Sequence, residues 1–181
     1  MKGAQFFNLN HSKKILVMEG PVTTVWGPAL WNLFHHLAEL TGNKTTDTKE
    51  ADEKRLWRSY LHSLRACIPC ARCKNHYIEY LNGHSLEPVF RLKRMEWGKA
   101  LRTWLWTFHN HVRLASKQDL IFPEETLTSV YGPVPKAQVA TWKTIISEHM
   151  RRAMFLRLHT RDDILRYVRL LEELYICLTV L

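Results

Sequence analysis

Three of the chain's four cysteines, Cys67, Cys70 and Cys73, fall within the stretch CIPCARC, and the fourth is Cys177. A Cys-x-x-Cys pair at the start of a helix is suited to thiol–disulfide exchange. Side chains three residues apart share a helical face, so Cys70 and Cys73 can close the small ring of a redox disulfide. The unpaired N–H groups and positive dipole end of a first turn favour thiolate over thiol. Two other uses of the sulfurs stay open on this reading. One is a zinc site from Cys67, Cys70, Cys73 and His76, although no CxxC or HxxxH pair on a separate element is present to complete the usual structural set. The other is a group of inert, buried cysteines. A thioredoxin-like site would need strands around the motif, and its neighbourhood reads as helical.

A redox disulfide needs somewhere to send its electrons. Cysteines alone do not reduce oxygen efficiently, so an oxidase would carry a cofactor beside them. The stretch WLWTFHNHVR, residues 104–113, offers flat surfaces at Trp104, Phe108 and His109, with Asn110 able to hydrogen-bond a heterocycle edge. On the first predicted helix, Trp26, Trp31 and His35 have spacings that would line a facing wall. Each tryptophan taken alone also suits a core, and each histidine a satisfied core or surface place. It is their combination with the CxxC that singles them out.

The elements that must position these residues are helices. Gly and Pro are few, and apolar residues recur at spacings of three and four. A first helix follows Pro21 and the cap-type Thr23 and Thr24 and runs to about Gly42. The polar stretch GNKTTDTKEADEK serves as a connection and as the start of a second helix, RLWRSYLHSLRAC, which ends near Ile68 because the residue before Pro69 is biased away from helical geometry. A third helix, CARCKNHYIEYL, closes at Asn82–Gly83, and HSLEPVF reads as a loop. A long fourth helix spans about 94–117, and IFPEETLTSVYG is a short fifth opened by Pro123. The Gly132–Pro133 and Pro135 boundary divides the chain into residues 1–132 and a helical extension, residues 133–181. In that extension Ile164, Val168, Leu171, Tyr175 and Leu178 follow a heptad-like spacing beside a stripe of Leu170, Leu174 and Cys177. The helix is expected to pack on the preceding unit, with self-association as a homodimer the alternative.

With 181 residues the chain is long enough to bury a substantial core. No apolar run approaches the roughly 20 residues of a membrane span. The opening MKGAQFFNLNHSKKILVMEG lacks the continuous apolar core of a secretory signal, so a soluble protein that stays where it is made is expected. The formal charge of +9 would favour phosphates or acidic partners. Arg151, Arg152, Arg157, Arg166 and Arg169 are scattered over helical faces, which reads as solvated surface with nucleic acid not the expected partner.

In four segments the sequence resembles the Erv/ALR-type sulfhydryl oxidases, FAD-dependent helical proteins that make disulfides and pass electrons to oxygen. WGPALWNLFHHLA is similar to the family's opening WGxxxWxxxHxxA, IPCARCKNH to its PCxxC followed by a basic stretch, WTFHNHV to its HNxV element, and PEETLTSVYG to its short closing helix. The single CxxC looks more like the compact versions of large DNA viruses than like cellular members with an added shuttle pair. The resemblance implies an all-α fold, a four-helix bundle with a short fifth helix holding FAD between helices one, three and four. It implies that Cys73 is the thiol beside the flavin and Cys70 the one that exchanges with a dithiol protein substrate, with O2 as electron acceptor and H2O2 as product. The cofactor contacts it implies are Gly27, Trp31, His35, Trp104, His109, Asn110 and Val112. Arg113 stands where the family has asparagine and Lys117 beside the family's lysine position, and both are assigned to the diphosphate. Pro28 replaces the arginine frequent after the opening glycine. For a viral protein the implied location is the host cytoplasm or the virion. A zinc-stabilised basic module that binds nucleic acid or protein is the competing reading, and an oxidase fold acting mainly as an assembly scaffold is a third.

Overall fold

The polar connection after the first helix is built by local chemistry. Gly42 takes a left-handed φ of +86°, where an L side chain would be strained. Four residues on, the Thr46 side chain accepts from the Lys49 N–H and caps the next helix. The computed structural model describes residues 20–120 and 123–179. The expectation for the opening segment up to Glu19, and the Ile121–Phe122 start of the expected fifth helix, lie outside the described residues.

Among the described residues the chain forms helices and no strand: α1 (Thr23–Glu39), α2 (Asp47–Cys67), α3 (Ala71–Gly83), α4 (Glu87–Arg91), α5 (Arg94–Ala115), a 3-10 turn (Glu124–Thr126), α6 (Leu127–Tyr131), α7 (Lys136–Phe155) and α8 (Arg161–Thr179). Two stretches differ from expectation. HSLEPVF contains α4 rather than a loop, because Phe90 is buried 5.2 Å from the Trp97 ring, with the Arg58 guanidinium 4.4 Å above it. That tertiary packing overrides a weak local signal. The expected fifth helix splits into the 3-10 turn and α6, five residues that close at Tyr131.

Helices α1 and α5 are locked at one end. Gly42 N donates to Glu53 Oε1 at 2.8 Å, and Trp57 Nε1 donates to Thr41 Oγ1 at 2.9 Å, which ties the end of α1 to α2. Gly98 on α5 lies so close that a Cβ there would stand 2.3 Å from the Thr41 carbonyl oxygen. From that crossing the two helices run antiparallel, which carries Trp31 and His35 of α1 opposite Phe108 and His109 of α5. The register of the chemistry-bearing residues is therefore set by a glycine three turns away.

Helix α7 packs along α1, and α8 along α2. Ile146, Met150, Tyr167 and Leu174 of the extension are fully buried in the same apolar cluster as Leu33, Leu37, Trp57 and Leu105. Each such side chain contributes about 1.5–3 kcal/mol of burial. Of the two α8 stripes expected, Ile164, Leu171 and Leu178 of one and Leu170 and Leu174 of the other are buried against the bundle, while Val168, Tyr175 and Cys177 are half-buried. No helix among the described residues is long and apolar enough to cross a membrane.

Candidate redox site

Cys70 is the N-cap of α3. Its backbone is extended, at φ −159° and ψ 118°, and its sulfur accepts the Cys73 N–H at 3.1 Å. The residue thus stands just before the first turn rather than inside it. Cys70 and Cys73 are joined as a disulfide, with Cα atoms 5.2 Å apart. Both are half-buried. A thiolate formed there on reduction meets the positive end of the helix dipole.

Cys67 has a different environment. It is the last residue of α2, fully buried, and its thiol donates to the Asp163 carbonyl oxygen at 3.0 Å. Burial first, and the Asp163 charge second, push its pKa up to about 12. The Cys67 sulfur is therefore engaged apart from the Cys70–Cys73 pair, and no group of histidine, cysteine and acidic side chains among the described residues is arranged to hold a metal ion. Cys177 is half-buried on α8, and burial raises its pKa as well.

From the disulfide, a layer of rings leads across the bundle. Cys73, Tyr77 and Tyr80 follow one another at helical spacing on α3. The Tyr77 ring lies 5.5 Å and the Tyr80 ring 4.6 Å from Phe108 of α5. Phe108 is in edge contact with Trp31 at 5.1 Å, and Trp31 stacks on His109 at 4.0 Å, the planes within 5°. Beyond them His35 Nε2 lies 3.1 Å from His109 Nδ1, and the His35 ring stacks on Tyr131 at 4.3 Å. Burial lowers the pKa of His35 to about 4. It lowers that of His109 to about 3, with His35 and the Arg113 charge adding to the effect. Both imidazoles are neutral at physiological pH, so each offers one N–H donor and one acceptor nitrogen.

Trp31, His35 and His109 thus come together as expected, with Asn110 buried next to His109 in sequence. Arg113 is close enough for its charge to act on both His109 and Tyr131, and its Nε donates to the Asp119 carbonyl. Val112 packs half-buried on the core, and Lys117 is exposed in the turn after α5 with φ +55°. Gly27 precedes Trp31 by one turn. Trp104 joins the ring layer at Phe108, 5.7 Å away; it also donates to the His84 carbonyl at 3.2 Å and meets Tyr80 at 5.3 Å. With Tyr80, His84, Lys99, Thr103 and Thr107 it lines an open, mostly apolar groove of about 510 Å³. Trp26 is buried in the core and makes no ring contact with the cluster, so the wall expected from it is not formed.

Tyr77, Tyr80, Tyr131 and His36 were not singled out by the sequence. Tyr77 and Tyr80 continue the CxxC face at spacings of four and three, which was a readable signal. Tyr131 ends the PEETLTSVYG segment, and a long-range tether from His36 Nδ1 to the Tyr131 and Gly132 carbonyls, at 3.4 and 3.3 Å, helps hold it over α1.

Residues 28–129 match the profile of the Erv1 / Alr family. The chain belongs to that family. In this Erv1 / Alr chain the match takes in the CxxC, the whole of α5 and the first three residues of α6, and it stops short of α7 and α8. Two relatives are viral. One is protein 096R of Invertebrate iridescent virus 3, named as an FAD-linked sulfhydryl oxidase, 27% identical over 88 residues that cover 49% of this chain and 53% of that protein. The other is protein 088R of Frog virus 3 (isolate Goorha), named likewise, 33% identical over 76 residues that cover 37% of this chain and 48% of that protein. The chain spans about half the length of the relatives it matches. No solved structure matches it.

Proposed function

We propose that this chain is an FAD-dependent thiol oxidase that makes disulfides in substrate proteins through Cys70 and Cys73. The observation that carries the reading is the position of the disulfide. It lies at a helix start, one turn from the ring layer that joins Tyr77 and Phe108 to Trp31, His109 and His35.

The residues fit a flat heterocycle. Gly27 is unexplained by packing, since a Cβ there would meet only Thr23 Cγ2 at 4.0 Å, yet glycine inside a helix costs about 1 kcal/mol relative to alanine. Open space kept one turn from Trp31 suits a ligand. Trp31 offers a ring face, and the neutral His35 and His109 with Asn110 offer donors and acceptors to a heterocycle edge. Arg113 and Lys117 suit a diphosphate, Val112 an apolar edge, and Trp104 a more distant wall. Held there, FAD would supply a two-electron acceptor that O2 can reoxidise, with H2O2 as the product.

The protein's own steps begin with a substrate thiolate attacking the sulfur of Cys70, with Cys73 as leaving group. The second substrate thiol then displaces Cys70. The substrate's two thiols become a disulfide, the Cys70–Cys73 bond becomes two thiols, and two electrons and two protons have moved. Cys73, on the face that leads to Tyr77 and Phe108, is the sulfur that passes the electron pair on. Residues 1–132 form the oxidase unit in this reading, with residues 133–181 as an extension docked on it. The viral relatives support a viral origin, with oxidation in the host cytoplasm or the virion. Oxygen uptake by the FAD-loaded chain with dithiothreitol tests the reading: catalytic uptake that disappears in Cys73→Ser is expected, and uptake unchanged in that variant overturns the role of Cys73.

A further inference from the structure

The extension does more than cover α1 and α2, because its turn lies against the start of α3. Lys74 Nζ donates to the Leu158 carbonyl between α7 and α8 at 3.3 Å, and the Cys67 thiol reaches the backbone of Asp163 on α8. The charges of Lys74 and Arg166 both bear on Cys67, three residues before Cys70, which puts the α8 arginine beside the end of α2 that leads into the CxxC.

That turn is strongly basic. Residues 151–169 carry six arginines against two aspartates. The Asp163 carboxylate is used internally, accepting from Thr160 N at 3.0 Å and Thr160 Oγ1 at 2.8 Å. Arg157, Arg161 and Arg166 are exposed and make no salt bridge with another described residue. A recess of about 180 Å³ beside the turn is lined by His62, Ser63, Arg65, Ala66, Asp163 and Arg166. On α3 itself Arg72, between the two cysteines, is exposed. Phe155, Leu156 and Leu165 stand 61%, 54% and 55% exposed on the same helices, so the basic surface also offers apolar footholds.

We propose that this basic surface docks the protein substrate, and that the substrate presents its dithiol within an acidic segment. The inference rests on the thiol-oxidase reading and adds to it the class of substrate. Charge complementarity raises the encounter rate and selects partners more than it adds affinity, so the effect belongs in kcat/KM.

The test uses the full FAD-loaded chain and two synthetic dithiol peptides with the same cysteine spacing, one flanked by Asp and Glu and the other by Lys and Arg. Dithiothreitol serves as a small reference substrate. The acidic peptide is expected to be oxidised with a kcat/KM at least about tenfold above the basic one at low salt, the preference shrinking as ionic strength rises. The double variant Arg161→Glu, Arg166→Glu should remove most of the preference while dithiothreitol turnover stays within about twofold. Equal rates for the two peptides in the unmodified chain, with dithiothreitol oxidised normally, overturn the proposal and leave the oxidase reading standing. The same equality together with inhibition by duplex DNA assigns the surface to nucleic acid and overturns it too. No turnover of dithiothreitol overturns the oxidase reading and this inference with it.

Discussion

His35 and His109 meet across the α1–α5 seam with ring nitrogens 3.1 Å apart, and one imidazole must donate while the other accepts. That hydrogen bond is lost once both rings are protonated, and burial opposes charging either one. Burial sets their pKa values near 4 and 3, well below the roughly 6.5 of an unfolded histidine. The unfolded chain therefore takes up protons below about pH 6.5 that the folded chain refuses until near pH 4 and pH 3. Stability from this pair is fully present above about pH 6.5 and is lost as pH falls through that window. The thermal midpoint should be flat from pH 7 to 8 and fall steadily from pH 6.5 to 4.5. His149 and His159, also lowered by burial, add to the slope. His109→Gln should reduce the acid slope by about one proton's worth, and an unchanged slope would show that His109 titrates normally.

Two glycine substitutions should separate packing from ligand space. Gly98→Ala drives a Cβ against the Thr41 carbonyl and is expected to cost about 3 kcal/mol, read as a shift in denaturation midpoint. Gly27→Ala meets only Thr23 Cγ2 and should leave the fold as stable as before, or more so by up to about 1 kcal/mol. On the proposed function it also lowers the flavin retained per chain, measured by absorbance after gel filtration. Full flavin retention in Gly27→Ala would remove that glycine from the cofactor site.

Cys67 is expected to be a structural thiol. Its hydrogen bond to Asp163 and its burial keep it protonated, and the thiolate is the reactive form. Iodoacetamide at pH 8 should leave Cys67 unmodified in the native protein and label it in denaturant, as read by peptide mass. Cys67→Ser should keep dithiothreitol turnover within about twofold, since a buried thiol with a raised pKa contributes little to exchange. Rapid native labelling would instead mark it as an exchange partner of Cys70.

Leu174 of α8 is fully buried against α2, and Leu174→Ala is expected to cost about 2–5 kcal/mol. One cooperative transition at lower denaturant should follow, because α8 shares the core of the bundle. A separate early transition that leaves the rest folded would show the extension to be an independent unit.

The long elements were legible because their signals are local. Apolar spacing marked α1, α2, α5, α7 and α8, and the Ile68–Pro69 boundary placed the CxxC at a helix start. The site was legible as far as its residues repeat along one helix: Trp31 with His35, and Phe108 with His109. What depends on partners far along the chain was hidden. Phe90 turns α4 helical only because Trp97 and Arg58 enclose it, and Tyr131 reaches His35 where His36 helps hold the α6 end. Trp104 keeps a ring contact with Phe108 while also meeting Tyr80 and His84, and Trp26 is buried in the core without a ring contact to Trp31 or His35. The closeness of the basic α7–α8 turn to Cys67 and Lys74 has no counterpart in sequence separation.

The most direct measurement is the visible absorption spectrum of the purified, FAD-loaded chain before and after dithiothreitol is added under air. The account predicts a flavin band that bleaches on reduction and recovers as oxygen is consumed, with peroxide released and the cycle lost in Cys70→Ser and Cys73→Ser. A protein that stays colourless after reconstitution with FAD, or a bound flavin that dithiothreitol does not bleach, would contradict it.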